Sequence, residues 1–399
     1  MKSFLGRSSS TLLTMTMLTA ASPALVQANA IEEAFKGGKA TFDARYRYES
    51  VDDSTNLDAT ASTLRTGLGF TTDTSMALSA HADFEHVSRV LLDREYGAPY
   101  AVVADPNTSE LNQAYLKYKV SDSVTAIAGR QRIILDNARF IGNVGWRQNE
   151  TTFDALRVMY KPSKDISLDF INIQQVNTLF GTDDESNHNL INAGFSGIGP
   201  GKLTAYAYML SNDGAAASET QTLGLRYKGK SDSFLYTAEF ATYSDTGDNP
   251  SSFDSDYTFL ELGYKFSDKV TAFIASETLG ADDGVTGEFE TPLGTKHAFN
   301  GWADKFLNTP ATGLVDNYIK VVGKVAGVKI VGMYHDFSAD FGSADYGTEL
   351  DLVVIKKLNK TFTLLGKLAN YSADDSAPAG SLANDTEKFW LQLQMKLGQ

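Results

Sequence analysis

Apolar and polar residues alternate along almost the whole of this chain. In 42–49, Phe42, Ala44, Tyr46 and Tyr48 alternate with Asp43, Arg45, Arg47 and Glu49. In 78–85, Leu78, Ala80, Ala82 and Phe84 alternate with Ser79, His81, Asp83 and Glu85. In 389–397, Phe389, Leu391, Leu393, Met395 and Leu397 alternate with Trp390, Gln392, Gln394 and Lys396. A period of two belongs to a β-strand with one apolar face. About 18 such segments are read, at 39–49, 61–72, 74–87, 109–120, 122–134, 151–161, 164–176, 187–197, 201–211, 218–228, 233–244, 254–266, 269–279, 315–325, 327–338, 345–357, 360–371 and 385–397. Each is about as long as a tilted strand that crosses a bilayer.

The connections alternate as well. Tight ones fall at Asp73, Ser121-Asp122, Pro162-Ser163, 198–200, 229–232, 267–268, Ala326-Gly327 and Leu358-Asn359. Long ones fall between them, at 50–60, 88–108, 135–150, 177–186, 212–217, 245–253, 280–314, 339–344 and 372–384. A soluble sandwich has no reason to alternate loop length so regularly. In lipid, backbone groups must bond one another, so spanning strands must close into a barrel. The expected fold is therefore all-β, a transmembrane antiparallel β-barrel of about 18 strands. Short connections read as periplasmic turns and long ones as extracellular loops. The interior of so many strands is too wide for wall side chains to fill, so it should hold a channel.

The N-terminus fits export. Lys2 and Arg7 precede an apolar stretch over about 12–26, and Ala28-Asn29-Ala30 is a small-residue cleavage pattern. Residues 1–30 are read as a removed leader and 31–399 as one barrel domain of the outer membrane. The chain has no cysteine and a net charge of −14. No disulfide or thiolate metal site can form, and an acidic chain is a poor partner for nucleic acid. No apolar run after position 30 is long enough for a transmembrane helix. Tyr48, Tyr118, Tyr160, Tyr227, Tyr264 and Phe266, near strand ends, suit interfacial girdles.

The parity of the pattern assigns the lumenal face. It receives Arg45, Arg47, Arg65, Lys117, Lys119, Arg130, Arg132, Arg157, Arg226, Lys320, Lys324, Lys367 and Lys396. It also receives Asp43, Glu49, Asp83, Glu85, Asp169, Glu239, Glu261, Glu349 and Asp351. The loops carry acidic runs such as Asp183-Asp184-Glu185, Asp282-Asp283 and Asp374-Asp375. Arg130 and Arg132, two apart, are expected on one face of the fifth strand, with Arg139 and Arg147 on the loop that follows and Arg157 beyond it. Two readings stand side by side: a basic lumen that draws in anions, or a wall whose arginines and carboxylates pair with each other.

Catalysis finds little support. None of the five histidines sits in a hydrolase motif. His81 shares a face with Asp83 and Glu85, the one arrangement that suits a phospholipase-like hydrolase. A third class is a structural or adhesive barrel, for which the 280–314 loop is long enough. Its aromatics Phe299, Trp302 and Phe306 are spaced for a short helix. No catalytic set, metal site or cofactor is expected. The expected partners are membrane lipid and lipopolysaccharide, small anionic or neutral hydrophilic solutes, and either no further subunit or a homotrimer.

Two stretches, GRQRIILDNARFIGNVGWRQNETTFDA (129–155) and GTKHAFNGWADKFLNTPATGLVDNY (294–318), resemble the alginate-export-like family of Gram-negative outer-membrane porins. That resemblance implies an 18-stranded barrel, an arginine-lined conduit and passage of anionic sugars or related small acids. The matching positions are Arg130, Arg132, Arg139, Arg147 and Asn149. By analogy with other porins, the 135–150 loop would fold inward and narrow the pore. The chain departs from the usual aromatic end of such barrels, ending Lys396-Leu397-Gly398-Gln399.

Overall fold

The structure, a computed structural model, describes residues 28–91, 96–212, 219–247 and 249–398. The expected leader falls mostly outside these residues. A helix, α1 (Ala28–Lys36), leads into the barrel.

Eighteen strands follow: β1 (Lys39–Asp52), β2 (Ala59–Thr71), β3 (Leu78–Arg89), β4 (Thr108–Lys119), β5 (Val124–Gln131), β6 (Thr152–Tyr160), β7 (Ile166–Asn177), β8 (Asp183–Ile198), β9 (Gly201–Leu210), β10 (Thr220–Ser231), β11 (Phe234–Asp245), β12 (Asp254–Lys265), β13 (Val270–Leu279), β14 (Leu314–Val325), β15 (Val328–Ser338), β16 (Asp345–Lys357), β17 (Phe362–Ala373) and β18 (Thr386–Leu397). Each pairs antiparallel with its sequence neighbours, and β1 pairs with β18, so the sheet closes and has no edge. Closure is what lipid demands, because an unpaired strand edge has no water to bond.

Register follows the alternation. Phe42 lies opposite Leu397 and Leu68, Tyr46 opposite Leu393 and Leu64, and these share the outer face. Asp43, Arg45, Arg47 and Glu49 share the inner one with Gln392, Gln394 and Arg65. Outer residues such as Leu260, Ile274, Ile319 and Leu350 are more than half exposed in the isolated chain, the surface lipid would cover. Near the periplasmic rim, Phe234, Tyr264 and Phe266 pack edge to face on that outer surface.

Three expectations need correction. The stretch 177–186 is no long loop: β8 starts at Asp183, leaving 178–182 as a turn closed by the Thr178 N–H on the Thr182 carbonyl. The fifth strand stops at Gln131, not near 134. The lumen is not lined by polar groups throughout, either. Phe153, Tyr206, Tyr208, Tyr257, Phe337 and Trp390 point inward and are buried. They pack against residues of two loops that fill the barrel's middle, described below.

The lipid-facing assignment predicts a position-specific cost. Leu260→Arg should destabilise the folded barrel by about 2–4 kcal/mol, as for a cation near the bilayer midplane. Reversible urea unfolding in lipid vesicles measures this. An effect no larger than that of Leu260→Ala would show that the face does not meet lipid.

Candidate functional site

The third extracellular loop, L3 (132–151), and the seventh, L7 (280–313), both fold into the lumen. There they pair with each other. The Gly142 N–H donates to the Leu293 carbonyl at 2.8 Å, and the Thr295 N–H to that of Ala138 at 2.8 Å. Gly142 must be glycine here, since a Cβ would come within 2.2 Å of the Thr295 hydroxyl oxygen.

The wall holds L3 by its backbone. Arg45 donates to the Gly145 carbonyl at 3.1 Å, to that of Arg147, and to the Gln148 side-chain oxygen at 2.7 Å. Arg47 reaches the Trp146 carbonyl at 2.6 Å, with its guanidinium 4.2 Å from the Trp146 ring centre. Gln148 returns bonds to the Arg45 carbonyl and the Thr63 hydroxyl. Asn149 donates to the Leu179 carbonyl at 3.1 Å, tying L3 to the β7–β8 turn. A non-helical loop in a buried place must find partners for its carbonyls. The multiple donors of Arg45 and Arg47 supply them.

The loop arginines are tied down by carboxylates. Arg139 meets Glu277 at 2.7 Å and Asn300 at 2.9 Å. Arg147 meets Glu49 at 3.1 Å and Asp304 at 3.0 Å. Arg132, just past β5, meets Glu150, which also accepts from Asn112. On the wall, Arg65 pairs with Asp43, Arg157 with Asp169 at 2.8 Å, and Arg226 with Glu239.

Arg130 is the exception in place. The register sets it beside Ala114 and Asp154, on the face shared by Leu116, Ala128 and Leu156. That is the outer face. Arg130 and Arg132 therefore do not share a face, because the strand ends between them and the chain turns inward. Arg130 forks onto Asp154 at 2.8 and 3.1 Å outside the lumen.

L7 is anchored by acids of the wall. The Ala303 N–H donates to Glu349 at 2.7 Å and the Trp302 N–H to Asp351 at 3.2 Å. The spacing of Phe299, Trp302 and Phe306 predicted a helix, but Asn300, Gly301 and Asp304 all have left-handed backbone, at φ 53°, 81° and 62°. The Trp302 and Ala303 N–H groups face the wall carboxylates, so they cannot serve a helix. The three tryptophans of the chain gather around Lys367, whose Nζ lies 4.1 Å from the ring centre of Trp146, 3.8 Å from Trp302 and 5.2 Å from Trp390. Such cation–π contacts are strongest where water is excluded. The pattern held one signal for this cluster: Trp390 breaks the polar face of β18, and an indole there needs something apolar inside the barrel.

The Lys367 Nζ also lies 2.6 Å from His297 Nε2, and His297 Nδ1 lies 2.5 Å from Asp304. Burial pushes the His297 imidazole well below its ordinary value; Asp304 opposes this, while Lys367 and Arg147 add to it. Burial works against the Asp304 carboxylate, yet its bond to His297 and the charges of Lys388 and Arg147 hold it well below the usual range.

Above this junction lies a cavity of about 530 Å³. Arg147, Lys296, His297 and Asp304 line it together with Leu179, Phe180, Leu210 and Tyr243. That volume falls within the range of small-molecule sites. His81 does not form a triad. Its Nδ1 lies 2.7 Å from the Thr71 hydroxyl and its ring stacks on Tyr115. Lys117 faces the lumen near the periplasmic end and is exposed.

Two predictions follow from burial. Arg139→Met leaves Glu277 buried without its cation and should cost about 3–5 kcal/mol, measured by denaturant unfolding. Arg139→Met/Glu277→Leu should recover a good part of that loss. A single variant as stable as the parent would show that the pair is solvated. For His297, the unfolded chain takes up a proton below about pH 6.5 that the folded site refuses. Stability should therefore be full above that pH and fall as pH drops from 7 to 5. His297→Gln should flatten this slope, and an unchanged slope would place the titration elsewhere.

Comparison with protein families matches residues 39–276 to the family described as alginate export. No curated protein sequence matches. Among solved structures, Acinetobacter baumannii OccAB2 is similar with a TM-score of 0.72 at 13% identity, over 92% of this chain and 99% of that one. Pseudomonas aeruginosa OpdK with vanillate gives 0.69 at 12% identity, over 91% and 99%. Pseudomonas aeruginosa OccD3 gives 0.67 at 14% identity, over 91% and 92%. At such identities the likeness is one of fold.

Proposed function

The chain belongs to the alginate export family of outer-membrane barrels, and from that premise we propose that it is a passive channel for small hydrophilic solutes with a preference for anions. The observation that carries the preference is an imbalance of unpaired charge along the lumen. In the extracellular half the inward arginines sit on carboxylates or loop carbonyls, so they contribute little free positive charge. In the periplasmic half the inward cations are mostly lysines. Lys202, Lys228, Lys324, Lys329, Lys357 and Lys396 continue the lumenal faces of their strands and are exposed. Ion pairs in that half include Lys119–Asp122, Arg157–Asp169, Lys265–Asp268 and Lys320–Glu261. The six lysines make none among the described residues.

The anion reading thus rests on lysines rather than on an arginine filter. Arg45 and Arg47 act as clamps on L3. Arg132, Arg139, Arg147 and Asn149 hold the loops in place, and Arg65 and Arg157 pair across the wall. A compact ammonium attracts anions as a point charge and binds them weakly. Weak, repeated binding is what conduction requires. The cavity at the L3–L7 junction offers a solute both polar and apolar lining. Movement down a gradient needs no nucleophile and no cofactor.

Planar-bilayer recording under a KCl gradient tests the reading. The reversal potential should have the sign of anion preference and move towards zero in Lys202→Gln/Lys228→Gln/Lys324→Gln/Lys329→Gln. Cation preference in the parent protein, unmoved by these changes, would sink it.

A further inference from the structure

We propose that the channel is a bipolar conduit, which passes ions more readily in one direction than in the other. The inference rests on the channel reading above and adds a polarity that anion preference alone does not require.

The periplasmic mouth carries a collar of lysines. Two pairs in it are direct cross-strand neighbours on the lumenal face: Lys202 lies opposite Lys228, and Lys324 opposite Lys329. Like charges placed directly opposite destabilise a sheet. Neither pair has a carboxylate at ion-pair distance among the described residues, so the wall bears their repulsion. A barrel that needed only a polar lumen could place serine or threonine there at no such cost.

The extracellular mouth carries the opposite sign. Asp183 and Asp184 open β8, Asp282 and Asp283 lie on L7, and Asp374 and Asp375 lie between β17 and β18. All six are exposed except Asp374, which is half-buried, and Asp184 also lines the 530 Å³ cavity, so the crown borders the solute's path. Backbone N–H groups of Thr286 and Val285 hold the Asp283 carboxyl below the usual range, and Ser376 does the same for Asp374. These groups stay charged at neutral pH. Between the mouths, the waist is close to neutral: Arg139 sits on Glu277, Arg147 on Glu49 and Asp304, and Arg226 on Glu239.

A positive mouth, a neutral waist and a negative mouth make an ionic diode. The collar concentrates anions and the crown concentrates cations. With the extracellular side positive, anions are drawn outward from the collar and cations inward from the crown. Both enter the waist, which fills with carriers. With the opposite sign both are drawn away, and the waist empties. For an anionic solute the consequence is a capture step that favours entry from the periplasm. At equilibrium no net transport results; the asymmetry appears only under a driving force.

Single-channel recording with known orientation tests this. The chain has no cysteine of its own, so Ser251→Cys, exposed between β11 and β12, can be biotinylated and its side located with added streptavidin. At about 0.1 M KCl, current with the extracellular side positive should exceed that at the opposite sign by about twofold or more. At about 1 M the ratio should fall towards one, as the screening length drops from about 10 Å to about 3 Å. Lys202→Gln/Lys228→Gln/Lys324→Gln/Lys329→Gln should lose most of the asymmetry while still conducting. Asp282→Asn/Asp283→Asn/Asp374→Asn/Asp375→Asn, which alters loops only, should reduce it independently. Symmetric current at low salt, with anion preference intact, would overturn this inference and leave the channel reading standing. Asymmetry that survives both sets of substitutions would also overturn it. An absence of conductance would overturn the channel reading and this inference with it.

Discussion

A backbone N–H in hydrocarbon has no water to bond, and this constraint organises the whole chain. It forces β1 onto β18, so that every strand has two neighbours. Once the sheet is closed, each residue has one of two addresses, lipid or lumen. The same constraint then operates a second time inside. L3 and L7 are irregular segments packed within the barrel, and their backbone groups also need partners. Arg45 and Arg47 answer the carbonyls of L3, while Glu349 and Asp351 answer the N–H groups of L7. Cations on β1 and anions on β16, three strands away around the closed sheet, thus serve the two polarities of the peptide group.

This division explains why an arginine-rich lumen is not a simple arginine filter. A guanidinium buried against a carbonyl or forked onto a carboxylate has spent its donors. It stiffens the loop it touches and adds little free charge to the solute's path. Lys202, Lys228, Lys324, Lys329, Lys357 and Lys396, near the periplasmic end, make no ion pair among the described residues. Arginine, with its planar fork, does the structural holding, and lysine, a hydrated point charge, remains available to a passing ion.

Much of the fold was legible from period and loop length. The alternation in β1 and β18 placed Asp43, Arg45, Arg47, Glu49 and Gln392 on one face without any coordinates. The register errors were local. Arg130 was misplaced because it was assigned one face with Arg132, whereas β5 stops at Gln131 between them and Arg130 keeps the outward parity of Ala126 and Ala128. The helix expected over Phe299–Leu307 failed because spacing alone does not show that Asn300, Gly301 and Asp304 take left-handed backbone. The aromatic core inside the barrel was hinted at only by Trp390, an apolar residue on a polar face.

What the sequence determined by itself was the wall: strand number, antiparallel order, the side most strand residues face, and the outer membrane as its place. These follow from local periodicity and from the rule that lipid tolerates no open edge. Only the tertiary structure decided what the lumenal charges do. Arg45 lies 103 residues from its partner Gln148, and Arg139 lies 138 from Glu277. Nothing in local pattern reports a pairing at such separation. The choice between a free arginine and a clamped one is made by loops that return into the barrel.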